Sequence, residues 1–130
     1  MKIAFICTGN ACRSQMAEGW GKYYAQGKHE IYSAGTQPFG VHPKAIAAMQ
    51  ELGIDISDHT SDHISTLPLD DLDYFITLCD SAAQSCPLPP EKVKHLHWST
   101  PDPFLGDQDY FNEIRDQLGE KIKDFLNSLE

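Results

Sequence analysis

The sequence has no apolar run approaching the roughly 20 residues that a helix needs to cross a bilayer, so no segment reads as membrane-spanning. It is also short of positive charge. Ten lysines and arginines stand against nineteen aspartates and glutamates, a formal net charge of −9. That balance argues against nucleic acid or an anionic membrane as a partner held by a general basic field. It repels small anions at long range too, so any anion site must be local and preformed from backbone N–H groups and a few cations. The apolar stretch after Met1 is too short for a secretory signal, and the expected location is the cytoplasm. There is no internal repeat, low-complexity tract or linker, and residues 1–130 read as a single domain, expected to be monomeric.

Cysteine is present but sparse, at Cys7, Cys12, Cys79 and Cys86. In a reducing compartment such residues are catalytic, redox-active or metal-binding more often than structural disulfides. Their surroundings therefore carry most of the information.

Apolar, β-rich segments alternate with helical patterns. Residues 2–6, 29–33, 73–78 and 93–98 read as strands, the second stopped by Ala34-Gly35. Helices are expected from Ser14 to about Ala25, from Pro43 to Gly53 with Ile46, Met49 and Leu52 on one face, and from about Asp109 onward. The last carries Ile114, Leu118, Ile122 and Phe125 as its stripe. Strands separated by helices imply an α/β fold, a four-stranded parallel sheet flanked by helices on both faces. Ligands in such folds bind beyond the carboxyl ends of the strands. Cys7 and Cys79 each follow a predicted strand, so both emerge at that edge.

The segment Cys7-Thr8-Gly9-Asn10-Ala11-Cys12-Arg13-Ser14 lies at a strand-to-helix junction. A tight loop relaxed by Gly9 can turn successive N–H groups inward and make an anion-binding concavity. The following helix adds its free N–H groups and positive dipole end. Arg13 offers a planar fork suited to two oxygens of a tetrahedral anion. The same donors, with the Ser14 hydroxyl, stabilise a thiolate at Cys7 as nucleophile. Asn10 tolerates the left-handed region and can hold the loop by side-chain hydrogen bonds.

At these residues the chain resembles the low-molecular-weight protein tyrosine phosphatase fold family, and its arsenate reductase branch in particular. The resemblance runs from Cys7 through Gly19, and on through Tyr32-Ser-Ala-Gly35, Gly53-Ile-Asp-Ile-Ser57 and His59-Thr-Ser-Asp62. It implies arsenate as substrate, with phosphate or sulfate as analogues, and places a general acid at Asp102 in Pro101-Asp102-Pro103. It also implies that Cys79 and Cys86 match the second and third redox cysteines of the thioredoxin-coupled reductases. A relay would follow, from Cys7 to Cys79 to Cys86, with thioredoxin resetting the enzyme.

Two other readings share the loop. A phosphatase needs Cys7, Arg13 and Asp102 but no second thiol, and Phe104 just after the Asp-Pro suits an aryl phosphate. A sensor would need neither nucleophile nor acid. The pair Cys79 and Cys86 favours the reductase, because two thiols becoming a disulfide supply the two electrons that arsenate needs. The small polar residues between them suit a segment that is helical in one state and looped in another. Zinc at these cysteines with His95 and His97 matches no usual ligand spacing. Cys12 is either structural or a protective partner for Cys7 under oxidation. In part of the reductase family a potassium ion sits near the loop, and the matching positions here are Asn10, Glu18, Ser33 and Asp62, all oxygen-bearing.

Overall fold

A computed structural model of the chain describes residues 1–79 and 89–129. In chain order these form β1 (Lys2–Cys7), α1 (Arg13–Ala25), β2 (Glu30–Gly35), α2 (Pro43–Glu51), β3 (Tyr74–Thr77), β4 (Lys94–His97) and α3 (Gln108–Ser128). Short 3-10 helices lie at Ile64–Thr66 and Leu69–Asp71. The sheet order is β2-β1-β3-β4 and every neighbouring pair is parallel. The expected four-stranded parallel sheet is therefore the observed one.

β1 is central and apolar because both of its faces are covered. Ile3 and Phe5 join a core with Met16, Trp20, Met49, Phe111 and Leu118 from the three long helices. Ala4 and Ile6 point the other way, into a smaller core closed by Ile64 and Leu72 from the 3-10 region. Burial of a side chain such as Phe5 is worth roughly 1.5–3 kcal/mol, and truncating it to alanine would cost about 3–5 kcal/mol.

Three elements differ in detail from the sequence reading. The face that α2 buries is Ala45, Ala48 and Met49, with Ile46 half-buried and Leu52 exposed. Alanines win because short side chains let α2 close tightly on α1 and α3. On α3 the stripe continues from Ile114, Leu118 and Ile122 to Leu126, while Phe125 turns aside to pack on Tyr74 and Trp98. β2 does not stop at Ala34-Gly35 but runs through both, paired with Ile6 and Cys7. Gly35 is required there by proximity: a Cβ on it would collide with the Thr8 carbonyl and lie 2.9 Å from the Cys7 carbonyl and the Asn10 nitrogen. The end of β2 is thus a seat for the loop that follows β1.

Candidate active site

The Cys7–Ser14 loop is held in shape from outside. Its Thr8 carbonyl accepts from Gln37 N–H (2.9 Å), and its Gly9 carbonyl from Phe39 N–H (3.2 Å) and the Ser61 hydroxyl (3.1 Å). The Asn10 carbonyl accepts from Gln15 Nε2 and Ser61 Oγ, both at 3.0 Å, and the Ala11 carbonyl from His42 N–H at 3.0 Å. Peptide units are planar and trans, so a carbonyl fixed outward turns the N–H of its unit to the opposite side, into the concavity. Cys12, the N-cap residue, makes no capping bond to α1 through its side chain, which leaves the helix's first N–H groups and positive end for an anion.

Asn10 is the loop's left-handed residue, with φ 47°. Gly9 is not; its missing side chain instead makes room for the Phe39 ring, which lies where a Cβ would stand. The Asn10 amide is fully buried and its orientation follows from its partners. Oδ1 accepts from Asp62 N–H (2.8 Å), so Nδ2 donates to Ser14 Oγ (2.7 Å) and Ser33 Oγ (3.0 Å). Ser14 Oγ, already an acceptor, has its own proton for Cys7 Sγ at 2.9 Å. Ser33 likewise passes its proton to Glu18 Oε1 at 2.5 Å. Two donor chains therefore leave the Asn10 amide, one ending at Cys7 and the other at a carboxylate behind the loop.

Arg13 lies at the mouth of the loop with 9 % of its surface exposed. Its Nη1 donates to the Thr100 carbonyl (3.0 Å) and its Nη2 lies 3.7 Å from Asp102 Oδ2. Its Nε is the one buried side-chain nitrogen or oxygen without a hydrogen-bond partner among the described residues. Such an orphan costs about 1–3 kcal/mol, and an oxyanion drawn onto the guanidinium would relieve it.

Cys7, Thr8, Gly9, Ala11, Cys12 and Arg13 floor a cavity of about 420 Å³, with Cys79, Asp102, Phe39 and Phe104 on its walls. Cys79 is buried just beyond β3, and its Sγ lies 3.2 Å from Thr8 Oγ1. The two cysteines expected at one sheet edge thus share one cavity. Cys12 lies in the cavity floor, where burial, then the charges of Asp102 and Cys7, push its thiol up to about 12. It stays protonated at neutral pH. Asp102 is more exposed: its side chain keeps 54 % of its surface, and Oδ1 accepts from Phe104 N–H at 3.0 Å. Cys86 lies outside the described residues, as does the whole segment between it and Cys79.

Of the residues expected near a cation, Ser33 touches Glu18 and Asn10. Asp62 meets Asn10 through its backbone, while its carboxylate accepts from Thr60 Oγ1 at 2.9 Å. Glu18 Oε2 already has company from Lys22 Nζ (2.6 Å) and His59 Nε2 (3.5 Å). His59 also meets Gln15 Oε1 through Nδ1 at 3.0 Å, and burial holds its pKa below the usual histidine value despite Glu18. Among the described residues no three His, Cys, Asp or Glu side chains are grouped to hold a metal ion. His95 and His97 both turn to Thr77 Oγ1, at 3.4 and 2.7 Å. Sequence reading missed Gln15, Gln37, Phe39, His42 and Ser61 as supports of the loop. Only Gln15 and Ser61 fell within the matching segments, and no motif marks the others.

The sequence profile described as Low molecular weight phosphotyrosine protein phosphatase matches residues 2–130. Arsenate reductase 2 of Staphylococcus saprophyticus is 49 % identical over 126 residues, covering 97 % of this chain and 96 % of that protein. A solved arsenate reductase in the phosphate binding state superposes with a TM-score of 0.87 at 39 % identity, over 99 % of this chain and 98 % of the other. The thioredoxin-dependent arsenate reductase of Corynebacterium glutamicum gives a TM-score of 0.80 at 30 % identity, over 98 % of this chain and 60 % of that one. A profile match along nearly the whole chain, with near-half identity to a full-length relative, places the chain in the low molecular weight phosphotyrosine protein phosphatase family, on the branch that holds the arsenate reductases.

Proposed function

We propose that this protein reduces arsenate to arsenite by a thiol relay that begins at Cys7. The observation that carries the reading is the second thiol: Cys79 Sγ lies against the anion loop, in the cavity that Cys7 floors. A phosphatase has no use for it.

The anion is held by the inward N–H groups and Arg13, whose orphan Nε has the matching need. The Cys7 thiolate, fed a hydrogen bond by Ser14, attacks arsenic and forms an S–As bond. One arsenate oxygen departs as water, with Asp102 supplying the proton. The Cys79 thiolate then attacks Cys7 Sγ. The S–As bond breaks with its electron pair going to arsenic, which leaves as arsenite, and a Cys7–Cys79 disulfide remains. Cys86 attacks Cys79 in turn and Cys7 departs as a thiolate. A dithiol reductant, for which thioredoxin is the best fit, reduces the Cys79–Cys86 bond. Cytoplasmic placement and a monomeric state belong to this reading. They are supported by the reducing conditions that the relay needs and by a cavity whose described lining comes from one chain.

Potassium fits as an auxiliary part of the proposal. Glu18, Ser33, Asn10 and Asp62 carry the hard oxygens, and a cation that displaced their present hydrogen bonds would add positive charge behind the loop. It would compete with Lys22 for Glu18. A higher melting temperature in potassium than in sodium chloride at equal ionic strength, lost in Glu18→Gln, would support it; equal melting in both salts would remove it.

The test of the main reading is arsenate-dependent NADPH oxidation with thioredoxin and thioredoxin reductase, in wild type, Cys79→Ser and Cys86→Ser. Cycling by wild type alone supports the relay. The aromatic walls, Phe39 and Phe104 at 5.6 Å between ring centres, favour a second reading, aryl phosphate hydrolysis. If wild type ignores arsenate with any thiol reductant yet hydrolyses aryl phosphates, and keeps doing so without Cys79 and Cys86, that second reading replaces the first.

A further inference from the structure

The loop that carries Asp102 is fastened to the rest of the molecule at both ends. At the near end, Thr100 N–H donates to the Leu78 carbonyl and the Thr100 carbonyl accepts from Arg13, both at 3.0 Å. At the far end, Gly106 N–H donates to the Pro103 carbonyl at 2.7 Å, closing residues 103–106 into a tight turn. The Gly106 carbonyl accepts from Lys44 Nζ at 2.9 Å. Lys44 is itself fixed. It sits in the first turn of α2, its carbonyl accepts from Gln108 Nε2 at 3.0 Å, and its ammonium lies 6.0 Å from the Phe111 ring centre.

We propose that Lys44 is a positioning residue for the acid Asp102, acting through the Gly106 carbonyl and the turn that links it to Pro103. The proposal rests on the reading of Asp102 as proton donor. Asp102 is too exposed to be placed by burial, and its ion pair with Arg13 is long at 3.7 Å. When an oxyanion occupies the loop, the guanidinium turns to the anion and that pair weakens further. Among the described residues Lys44 is not part of the cavity lining, so its hold persists through the reaction. The adjacent His42 ring, edge-on to Phe104 at 5.2 Å between centres, braces the same turn from the α2 side.

Two measurements test this. In Lys44→Met, amide exchange at Phe104, whose N–H is bonded to Asp102, should rise about tenfold while the Cys7–Ser14 amides stay unchanged; Lys44→Arg should restore protection. The exchange experiment needs no substrate, so it stands whether or not arsenate is reduced. In single-turnover reaction, Lys44→Met should lose about tenfold in rate with little change in arsenate affinity, and the same substitution in an Asp102→Asn background should lose nothing further. Unchanged Phe104 exchange overturns the proposal. So do rate losses that simply multiply in the double variant, because they would mean that Lys44 acts elsewhere than through Asp102.

Discussion

Two loops face each other across the cavity, and they are built on opposite plans. The Cys7–Ser14 loop is almost wholly buried, its carbonyls are taken up by donors from three other segments, and its one left-handed residue is locked by an amide with every bond made. The Asp102 loop is exposed for much of its length, with Leu105 at 95 %, and is fastened near its ends. The contrast separates two requirements of one reaction. Binding and attack need donors that do not reorganise as charge develops. Delivering a proton, and then letting an oxidised cysteine and a reductant approach, needs a wall that can yield.

The comparison can be broken first at the nucleophile. Cys7→Ser should abolish arsenate reduction, by about four orders of magnitude or more, while leaving melting nearly unchanged. Residual turnover within tenfold of wild type would show that another thiol attacks. Next comes the acid: Asp102→Asn should lower the rate of the first chemical step about a hundredfold with stability within about 0.5 kcal/mol of wild type, as denaturant titration would show. The rigid loop should behave otherwise. Gly35→Ala, which forces a methyl group against the Thr8 carbonyl, should cost about 1–3 kcal/mol and weaken phosphate binding with it; calorimetry measures both. If instead the variant melts like wild type, the loop is softer than its bonding implies.

The smallest expected effect is of pH. His42 and His59 both have pKa values held below the usual 6.5, in each case chiefly by burial. The unfolded chain then binds more protons than the folded one as pH falls through that ordinary value, so stability is present above it and declines on acidification toward the lower folded values. His42 Nδ1 accepts from Lys44 N–H as the cap of α2, a bond that protonation removes. His42→Asn keeps an acceptor at that position and should flatten the decline between pH 7 and pH 5.

What could be read from the sequence was what lies close together along it. The loop, its nucleophile and its arginine are contiguous, and the alternation of apolar strands with amphipathic helices placed Cys7 and Cys79 at one edge. The braces were not legible because each comes from elsewhere in the chain: Gln37 and Phe39 from the turn after β2, His42 from the cap of α2, Ser61 from an irregular stretch. None belongs to a pattern of its own. The buried face of α2 follows fit and not side-chain size, which periodicity cannot rank, and Gly35 is a point of contact between backbones where a glycine in sequence reads as a stop.

The position of β1 in the sheet has a consequence for how the protein is made. β1 precedes both of its neighbours in the chain, pairing with β2 near residue 30 and with β3 near residue 74. Its full setting therefore awaits residues as distant as Tyr74–Thr77, a contact of long sequence separation and slow closure. The anion cradle and the hydrogen bonds behind Cys7 need partners from residues 33–61 as well, so they too form only as the chain folds. The site around Cys7 is therefore a product of folding, assembled from Ser14, Ser33 and Ser61 around Asn10, and an unfolded copy carries the thiol without it.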